Sequence, residues 1–271
     1  MSFKRNSARI LLAVAAGALA QTGAVAQTTP QTQVPGQFKV GMEISYPPFE
    51  SYEGDQVVGS DPELARLLAR QLGASASFVD TRFSGLILGL NSGHYDAVIS
   101  GMYVTPERVA QARVIPYAQT GAAILVLASG QLKPQVPEAL CGLSVGVEQG
   151  ASWAPTLRSV SQNYCKAHGK SEISVSEFPS APEAMQALLS HNVQAQMEIA
   201  GAARALAAKS SGRVVVTSTQ LIYPQTLGIY VKKDNSSLFD ALSKALDKLQ
   251  NSGEYGVILK KYDLVPPAKS S

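Results

Sequence analysis

The chain has 271 residues, of which 23 are Lys or Arg and 20 are Asp or Glu. Three of the basic residues, Lys4, Arg5 and Arg9, fall in the first nine positions, and the remainder is balanced at 20 against 20. A balanced charge excludes the strongly basic surface with which proteins bind nucleic acid, so no nucleic-acid partner is expected.

The N-terminus predicts a secretory signal peptide over residues 1–26. A basic start and the short apolar run "ILLAVAAGALA" lead to an A-x-A site at Ala24–Ala26, with Ala18–Ala20 as a second possible cleavage site. The apolar run is about half the length that spans a bilayer, which argues against a membrane anchor. We therefore expect a periplasmic protein that begins with a disordered spacer, residues 27–37.

Short apolar runs then alternate with amphipathic helical segments, a pattern that predicts an α/β fold. Before residue 130, the predicted strands are 38–44, 75–80, 95–101 and 121–129. The helices between these strands are predicted to begin at the capping residues Asp61, Ser84 and Thr105.

The proline- and glycine-rich stretch "GQLKPQVPEALCG" separates a second series of strands and helices. In this series the predicted strands are 143–148, 173–178, 193–199, 213–218 and 226–233, and the predicted helices are 152–168, 180–190, 200–209, 236–253 and 254–264. We expect two lobes, 38–120 plus 224–271 and 121–223, with the chain crossing twice between them. Such folds bind ligands in the crevice at the carboxyl ends of their strands.

The stretch "ISGMYVTPER" (99–108) predicts an anion site at this crevice. Gly101 lets the backbone approach a ligand closely, and the helix start after Thr105 presents free N–H groups beside Arg108. A guanidinium meets a carboxylate with two parallel hydrogen bonds, so a carboxylate is the expected anion. Alternatively, Arg108 pairs with Glu107 or faces solvent.

Aromatic residues also fall at predicted strand ends. Tyr46 and Phe83 could form the walls of a pocket around a ligand side chain, whereas Phe49 is expected to pack in the core. The stretch "GVEQGAS" (146–152) lacks the lysine of a phosphate-binding loop and is interpreted as a turn that offers N–H groups to a ligand.

Two cysteines, Cys141 and Cys165, remain in a chain predicted to be exported. An oxidising compartment favours a disulfide between them, and two unpaired buried thiols are the alternative. The sequence contains no CxxC motif and no cluster of histidine and cysteine, so we expect neither a metal nor a cofactor.

Several longer stretches resemble the periplasmic solute-binding proteins of the polar amino-acid ABC transporters, bacterial extracellular solute-binding protein family 3. The resemblance covers nearly all of residues 38–263, and its motifs are "YPPFE", "VGSDPELARLLARQLG", "RFSGLILGLNSGHYDAVISGMYVTPER", "GLSVGVEQGAS" and "LSKALDKLQNSGEYGVILKKYDL". It implies a type II periplasmic binding protein with two lobes, each a mixed sheet flanked by helices, and two crossover strands. It also implies a monomer without enzymatic activity that delivers a small carboxylate-bearing ligand to an inner-membrane ABC permease.

The resemblance further implies roles for individual residues. Arg108 binds the α-carboxylate of the ligand, helped by backbone groups near Gly101 and Tyr103 and by the loop Gly150–Ser152. Tyr46 and Phe83 sandwich the ligand side chain, and Glu43 lines its pocket.

One position departs from the family pattern. Ile199 stands where relatives usually carry the aspartate that holds the α-ammonium, and Glu198 lies one residue earlier, on the opposite face of a strand. Two other functions stay open. One is a cyclohexadienyl-dehydratase-like enzyme with Glu43 and Glu198 as candidate acids, and the other is a ligand-sensing partner of a membrane receptor.

Overall fold

A computed structural model describes residues 1–2 and 32–268. Apart from its first two residues, the predicted signal peptide lies outside the described residues, as does the start of the predicted spacer. Near the end of that spacer, the N–H of Gln33 donates to Asp96 Oδ1 at 2.6 Å, and Gln37 already begins the first strand. In the described ranges, no helix is long and apolar enough to cross a membrane.

The first part of the chain builds strands and helices in alternation. Its elements are β1 (Gln37–Met42), β2 (Ser45–Tyr46), β3 (Glu50–Glu53), β4 (Gln56–Val58), α1 (Ser60–Gln71), β5 (Ser75–Asp80), α2 (Leu86–Asn91), β6 (Ala97–Val98), α3 (Pro106–Val109) and β7 (Ala112–Leu127). Buried leucines such as Leu64 and Leu68 hold α1 against the sheet.

The second part continues the same alternation. Its elements are β8 (Ser144–Glu148), α4 (Trp153–Val160), β9 (Ser174–Phe178), α5 (Ala181–Leu189), β10 (Ala195–Ile199), α6 (Ala200–Lys209), β11 (Val214–Val216), β12 (Ile222–Lys232), α7 (Ser236–Ser252) and α8 (Glu254–Lys261). The predicted helix 152–168 is divided, because a π-helical turn, Ser161–Cys165, follows α4.

Within the described residues, nine strands form one mixed sheet in the order β5-β1-β6-β12-β7-β10-β8-β9, with β11 beside β7. The long strand β7 pairs with β12 over residues 112–122 and with β10 over residues 122–125, so that Ala122 pairs with both. The sheet therefore has a first half, built on β5, β1 and β6, and a second half, built on β10, β8 and β9. Strands β7 and β12 join the two halves.

Both joining strands extend further than the sequence predicts, and each contains a proline. Proline removes a backbone donor and normally ends a strand in sequence-based reasoning. Here Pro116 lies opposite Gly228, beside a register shift between Leu227 and Gly228, and Pro224 lies within the shift between Ile222 and Gln225. Since the ladder is already irregular at these points, the prolines interrupt no regular pairing.

The predicted helix caps have mixed outcomes. Thr105 and Ser180 do cap α3 and α5 with their side chains. The predictions for Asp61 and Ser84 are wrong: α1 begins after Gly59, and Ser84 lies inside a 3₁₀ turn, Phe83–Gly85. Asp61 is fully buried, and its carboxylate accepts hydrogen bonds from distant parts of the chain instead.

The predicted disulfide joins Cys141 and Cys165, whose Cα atoms lie 5.6 Å apart. It ties the loop before β8 to the π-helical turn after α4, and Cys165 is fully buried. Both cysteines of the sequence are thereby paired, as an oxidising compartment favours.

Candidate functional site

A pocket lies where the strand ends of the two halves face each other. It holds about 260 Å³ of empty space, including the part that opens to solvent. The first half contributes Tyr46, Phe83, Gly101, Tyr103 and Arg108, and the second half contributes Glu148, Ala151, Ser152, Trp153 and Ile199. The structure thus gathers six of the predicted site residues in one place, and Glu43, Gly150 and Glu198 contact members of this group.

Arg108 lies in the first turn of α3 and spans the two halves of the sheet. Its Nη1 donates to the carbonyl of Tyr103 at 2.7 Å, and its Nη2 donates to the carbonyl of Gly150 at 2.9 Å. Its guanidinium carbon lies 5.3 Å from the centre of the Phe83 ring. Burial lowers the Arg108 pKa, but a guanidinium stays charged at every physiological pH. The pocket therefore has a permanent positive charge with N–H groups to spare.

Gly101 forms the pocket floor after β6, in a backbone conformation with φ +51°. A Cβ at this position would lie 3.3 Å from Phe49 Cγ and 3.4 Å from Tyr46 Cε1. Backbone groups near Gly101 were expected to help bind a ligand, but the Gly101 N–H itself donates to Asp61 Oδ2 at 2.6 Å. Gly101 therefore shapes the pocket by its small size, while its N–H group is occupied by Asp61 and does not bind a ligand.

Aromatic rings cover much of the pocket wall. Tyr46 stacks on buried Phe49 with ring centres 5.7 Å apart, and Tyr103 meets Trp153 edge to face at 5.2 Å. The Tyr103 hydroxyl is buried without a hydrogen-bond partner, and so is the hydroxyl of Ser152. These two groups border the same pocket as Arg108 and are free to bond to a polar ligand.

Three buried carboxyl groups surround one side of the pocket. Glu43, Glu148 and Glu198 are 3%, 4% and 1% exposed. Glu43 Oε2 accepts the Phe83 N–H at 2.7 Å. The carboxyl groups of Glu43 and Glu148 lie close enough for each to shift the pKa of the other. Since two neighbouring carboxylates repel each other, their surroundings favour a neutral form of at least one of them.

The surroundings of these carboxyl groups favour their neutral forms. Burial, with the neighbouring charges of Glu198 and Glu43, raises the pKa of Glu148 well above its ordinary value. Burial also raises the pKa of Glu43, and it raises that of Glu198 to about 7. Glu198 lies behind the pocket wall, where its two oxygens accept from Tyr46 Oη at 2.8 Å and Gln196 Nε2 at 3.0 Å.

Residues 38–264 match the family of bacterial extracellular solute-binding proteins, family 3. The chain belongs to this family.

Relatives and solved structures agree with the assignment. The L-cystine-binding protein TcyJ of Escherichia coli (strain K12) is 28% identical over 230 residues, covering 84% of this chain and 82% of the relative. An ancestral arginine-binding protein, solved with arginine and with glutamine, is 31% identical, with TM-scores of 0.75 and 0.76 over 84% of this chain and 98% of that one. Another solved structure is that of the ancestral amino acid-binding protein AncCDT-1, a precursor of cyclohexadienyl dehydratase. It is 28% identical, with a TM-score of 0.69, and the match covers 84% of this chain and 95% of that chain.

These similarities confirm the predicted fold class of this solute-binding protein. The two sheet halves joined by two long strands correspond to the two-lobed arrangement of the structural neighbours. The family assignment made from sequence motifs is confirmed as well.

Two pocket residues of this solute-binding protein were missed in the sequence. Glu148 was not predicted as a site residue, because the stretch "GVEQG" was interpreted as a glycine-containing turn. A glutamate at the end of an apolar strand is nevertheless a signal for a binding site. Trp153 looked like an ordinary apolar residue at a helix start. Ile199 borders the pocket at the end of β10, as its alignment to the usual aspartate position implied.

Proposed function

We propose that this chain is the substrate-binding component of an ABC importer and that it binds an amino acid or a closely related small carboxylate. The position of Arg108 carries the proposal. Its charged group borders a pocket between two sheet halves and bonds to a carbonyl in each of them. The binding of amino acids by the relatives supports the ligand class.

In this mechanism the ligand stabilises the closed arrangement of the two halves. The Arg108 guanidinium donates to the carbonyls of Tyr103 and Gly150 and interacts with Tyr230, and its remaining N–H donors bind the ligand carboxylate. Tyr46 and Phe83 enclose the ligand side chain, and Glu43 lies beyond Phe83. Since these residues and the Gly150–Ser152 loop belong to different halves, a ligand that contacts both shifts the population toward closure.

The same proposal includes the boundaries of the two lobes and the location of the protein in the cell. Residues 38–120 plus 224–271 form one lobe and 121–223 the other, which is supported by the change of β7 from β12 to β10 at residues 120–122. The protein acts as a periplasmic monomer, exported by its signal peptide, and delivers its ligand to an inner-membrane permease. The periplasmic histidine-binding relative supports the compartment.

A ligand screen tests the proposed function. Purified protein is mixed with each of the twenty standard L-amino acids, with L-cystine and with a set of small organic acids, and the shift in Tm is measured. We expect at least one amino acid to raise the Tm, and calorimetry then gives its affinity. If no amino acid and no related carboxylate binds, the proposed function is wrong.

A dehydratase is the second candidate, and one observation favours it. Glu148 and Glu198 are buried acids with raised pKa values, which is the state a general acid requires near neutral pH. The similarity to AncCDT-1 adds to it. We propose that the chain is nevertheless a binding protein, because Arg108 and the aromatic walls account for the pocket without a reaction. Product formation from prephenate or arogenate would contradict this.

A further inference from the structure

The pocket has one clear site for a negative group and lacks an equally obvious site for a positive one. Arg108 supplies the positive charge from the first half. On the opposite side, β10 ends in Ile199, whose apolar side chain borders the pocket and cannot bind a cation. An ammonium group buried beside Ile199 without a partner would be strongly unfavourable.

Two of the three nearby carboxyl groups already have their oxygens occupied by the protein. Glu198 accepts from Tyr46 and Gln196, one bond to each oxygen. Glu43 accepts from Phe83 through Oε2, and its Oε1 lies 3.7 Å from Arg82 and 3.4 Å from the Ser45 hydroxyl. Neither group is positioned to give up these bonds to a ligand.

Glu148 differs from these two in both position and bonding. It ends β8, borders the pocket directly and is close enough to Arg108 for its charge to act on the guanidinium. Its Oε1 accepts one long hydrogen bond, from the Ala181 N–H at 3.2 Å. The neighbouring Glu43 carboxyl group disfavours the charged form of Glu148, and a ligand cation would offset that repulsion.

A second feature of the same wall indicates a polar ligand. Tyr103 borders the pocket and is 3% exposed, and its buried hydroxyl has no hydrogen-bond partner in the described part of the chain. A buried hydroxyl without a partner is rare, because burial removes its bonds to water. A zwitterion held between Arg108 and Glu148 would supply the missing partner.

We propose that Glu148 is the residue that binds the α-ammonium group of the ligand, in the place that Ile199 leaves without a charge. This inference rests on the proposed function, since it needs an amino acid with its carboxylate on Arg108. When the ammonium binds, the ionised form of Glu148 is favoured, and a neutral Glu148 releases its proton to the surrounding water while Glu43 is unchanged. Other charged groups around Glu148 are Glu198 on β10 and Arg108 on α3.

The test compares one amino acid with its counterpart that lacks the α-amino group. The amino acid is the one that binds best in the screen, for example arginine with 5-guanidinopentanoic acid or glutamine with 4-carbamoylbutanoic acid. Calorimetry measures both affinities for the wild type, for Glu148→Gln and for Glu172→Gln, an exposed glutamate in the same half of the sheet. Glutamine at 148 keeps an acceptor for the Ala181 N–H and nearly the same side-chain shape, so the fold is expected to be preserved.

We expect Glu148→Gln to bind the amino acid at least about tenfold more weakly, as when one member of a buried charge pair is removed. Its affinity for the counterpart stays within about threefold of the wild type, and Glu172→Gln behaves as the wild type does. If Glu148→Gln keeps the wild-type preference for the amino acid, the inference is wrong and the proposed function stands. If the wild type binds a related carboxylate but no amino acid, the inference alone is wrong, and if it binds neither, both are wrong.

A crystal structure of the wild type with that amino acid gives a test that needs no variant. We expect the ligand ammonium within about 3.2 Å of a Glu148 carboxylate oxygen, the range of a charged hydrogen bond. An ammonium that contacts Glu198, Glu43 or backbone carbonyls in place of Glu148 would overturn the assignment.

Discussion

The carboxyl group of Glu43, just after β1, lies close enough to that of Glu148, the last residue of β8, for each to shift the pKa of the other. Two buried acids from different halves of the sheet therefore meet at the wall of the pocket. Burial raises the pKa of both groups, and their negative charges would repel each other if both were ionised. Contact between the halves at this point is thus tied to the charge of the pocket.

Stability is expected to fall as the pH rises through neutrality. Burial raises the pKa of Glu198 from 4.5 to about 7, so the folded protein keeps a proton that the unfolded chain loses. The resulting stabilisation is complete below about pH 4.5 and disappears as the pH passes 7. Measured Tm values of Glu198→Gln should decline less between pH 5 and pH 8 than those of the wild type. Parallel curves would contradict the buried proton.

The hydroxyl of Tyr46 is expected to hold Glu198 partly ionised. It donates to Glu198 Oε2 at 2.8 Å and accepts the Ile199 N–H at 3.3 Å. Tyr46→Phe removes the donor, so the Glu198 pKa should rise further above about 7. It should also cost about 1–3 kcal/mol of unfolding free energy, because a buried carboxyl oxygen loses its partner. NMR titration of the Glu198 carboxyl carbon and denaturant unfolding measure these effects, and an unchanged or lower pKa would contradict the prediction.

Arg108→Ala is expected to weaken ligand binding without unfolding the protein. A charged hydrogen bond contributes about 1.5–3 kcal/mol, which corresponds to a loss of about ten- to a hundredfold in affinity. Arg204→Ala is the matched control, since Arg204 is exposed on α6 and pairs with exposed Asp263. Calorimetry measures the affinities and circular dichroism the fold. Near-normal affinity in Arg108→Ala would contradict both its role and the proposed function.

The disulfide is expected to stabilise the protein without contributing to binding. Cys141 and Cys165 lie 24 residues apart in sequence, and closing a loop of this size contributes about 3 kcal/mol in the chain-entropy model. Replacing both by serine should lower the Tm and leave the affinity of the folded protein unchanged. The number of free thiols in the denatured, unreduced wild type provides an independent check, and the expected number is zero.

Comparison of alanine substitutions at Gly101 and Gly54 distinguishes the cost of backbone strain from the cost of steric crowding. Gly101→Ala combines a left-handed backbone with a Cβ that presses on Phe49 and Tyr46. Gly54→Ala is the control, because Gly54 has φ +59° and open space around it. Both variants should lose about 1–2 kcal/mol from strain, and Gly101→Ala should lose more because its neighbours must move. Equal losses would show that the pocket floor accommodates a methyl group.

The sequence predicted the alternation of elements, the family and most of the pocket residues, because these depend on local patterns. Thr105 and Ser180 cap their helices through residues three positions away, which a local pattern can reveal. Asp61 had the same local appearance, but its partners Gly101 and Tyr117 lie 40 and 56 residues away. Burial that depends on such distant partners cannot be predicted from the spacing of residues along the sequence.

The pairing of Glu43 with Glu148 was beyond local reasoning for the same reason. The two residues end strands in different halves of the sheet, and their contact depends on how the halves face each other. The extent of β7 and β12 was underestimated because Pro116 and Pro224 resemble strand ends. Their compatibility with the sheet depends on register shifts that only the paired strand defines.

Trp153, the single tryptophan of the chain, meets Tyr103 edge to face where the second half of the sheet approaches the first. Trp153 is 2% exposed in this arrangement, and separation of the two halves would bring its indole ring into contact with water. The protein therefore contains its own fluorescent reporter of closure. The wavelength of its emission follows the opening and closing of the pocket without any label, and its time course after mixing with a ligand gives the rate of closure directly.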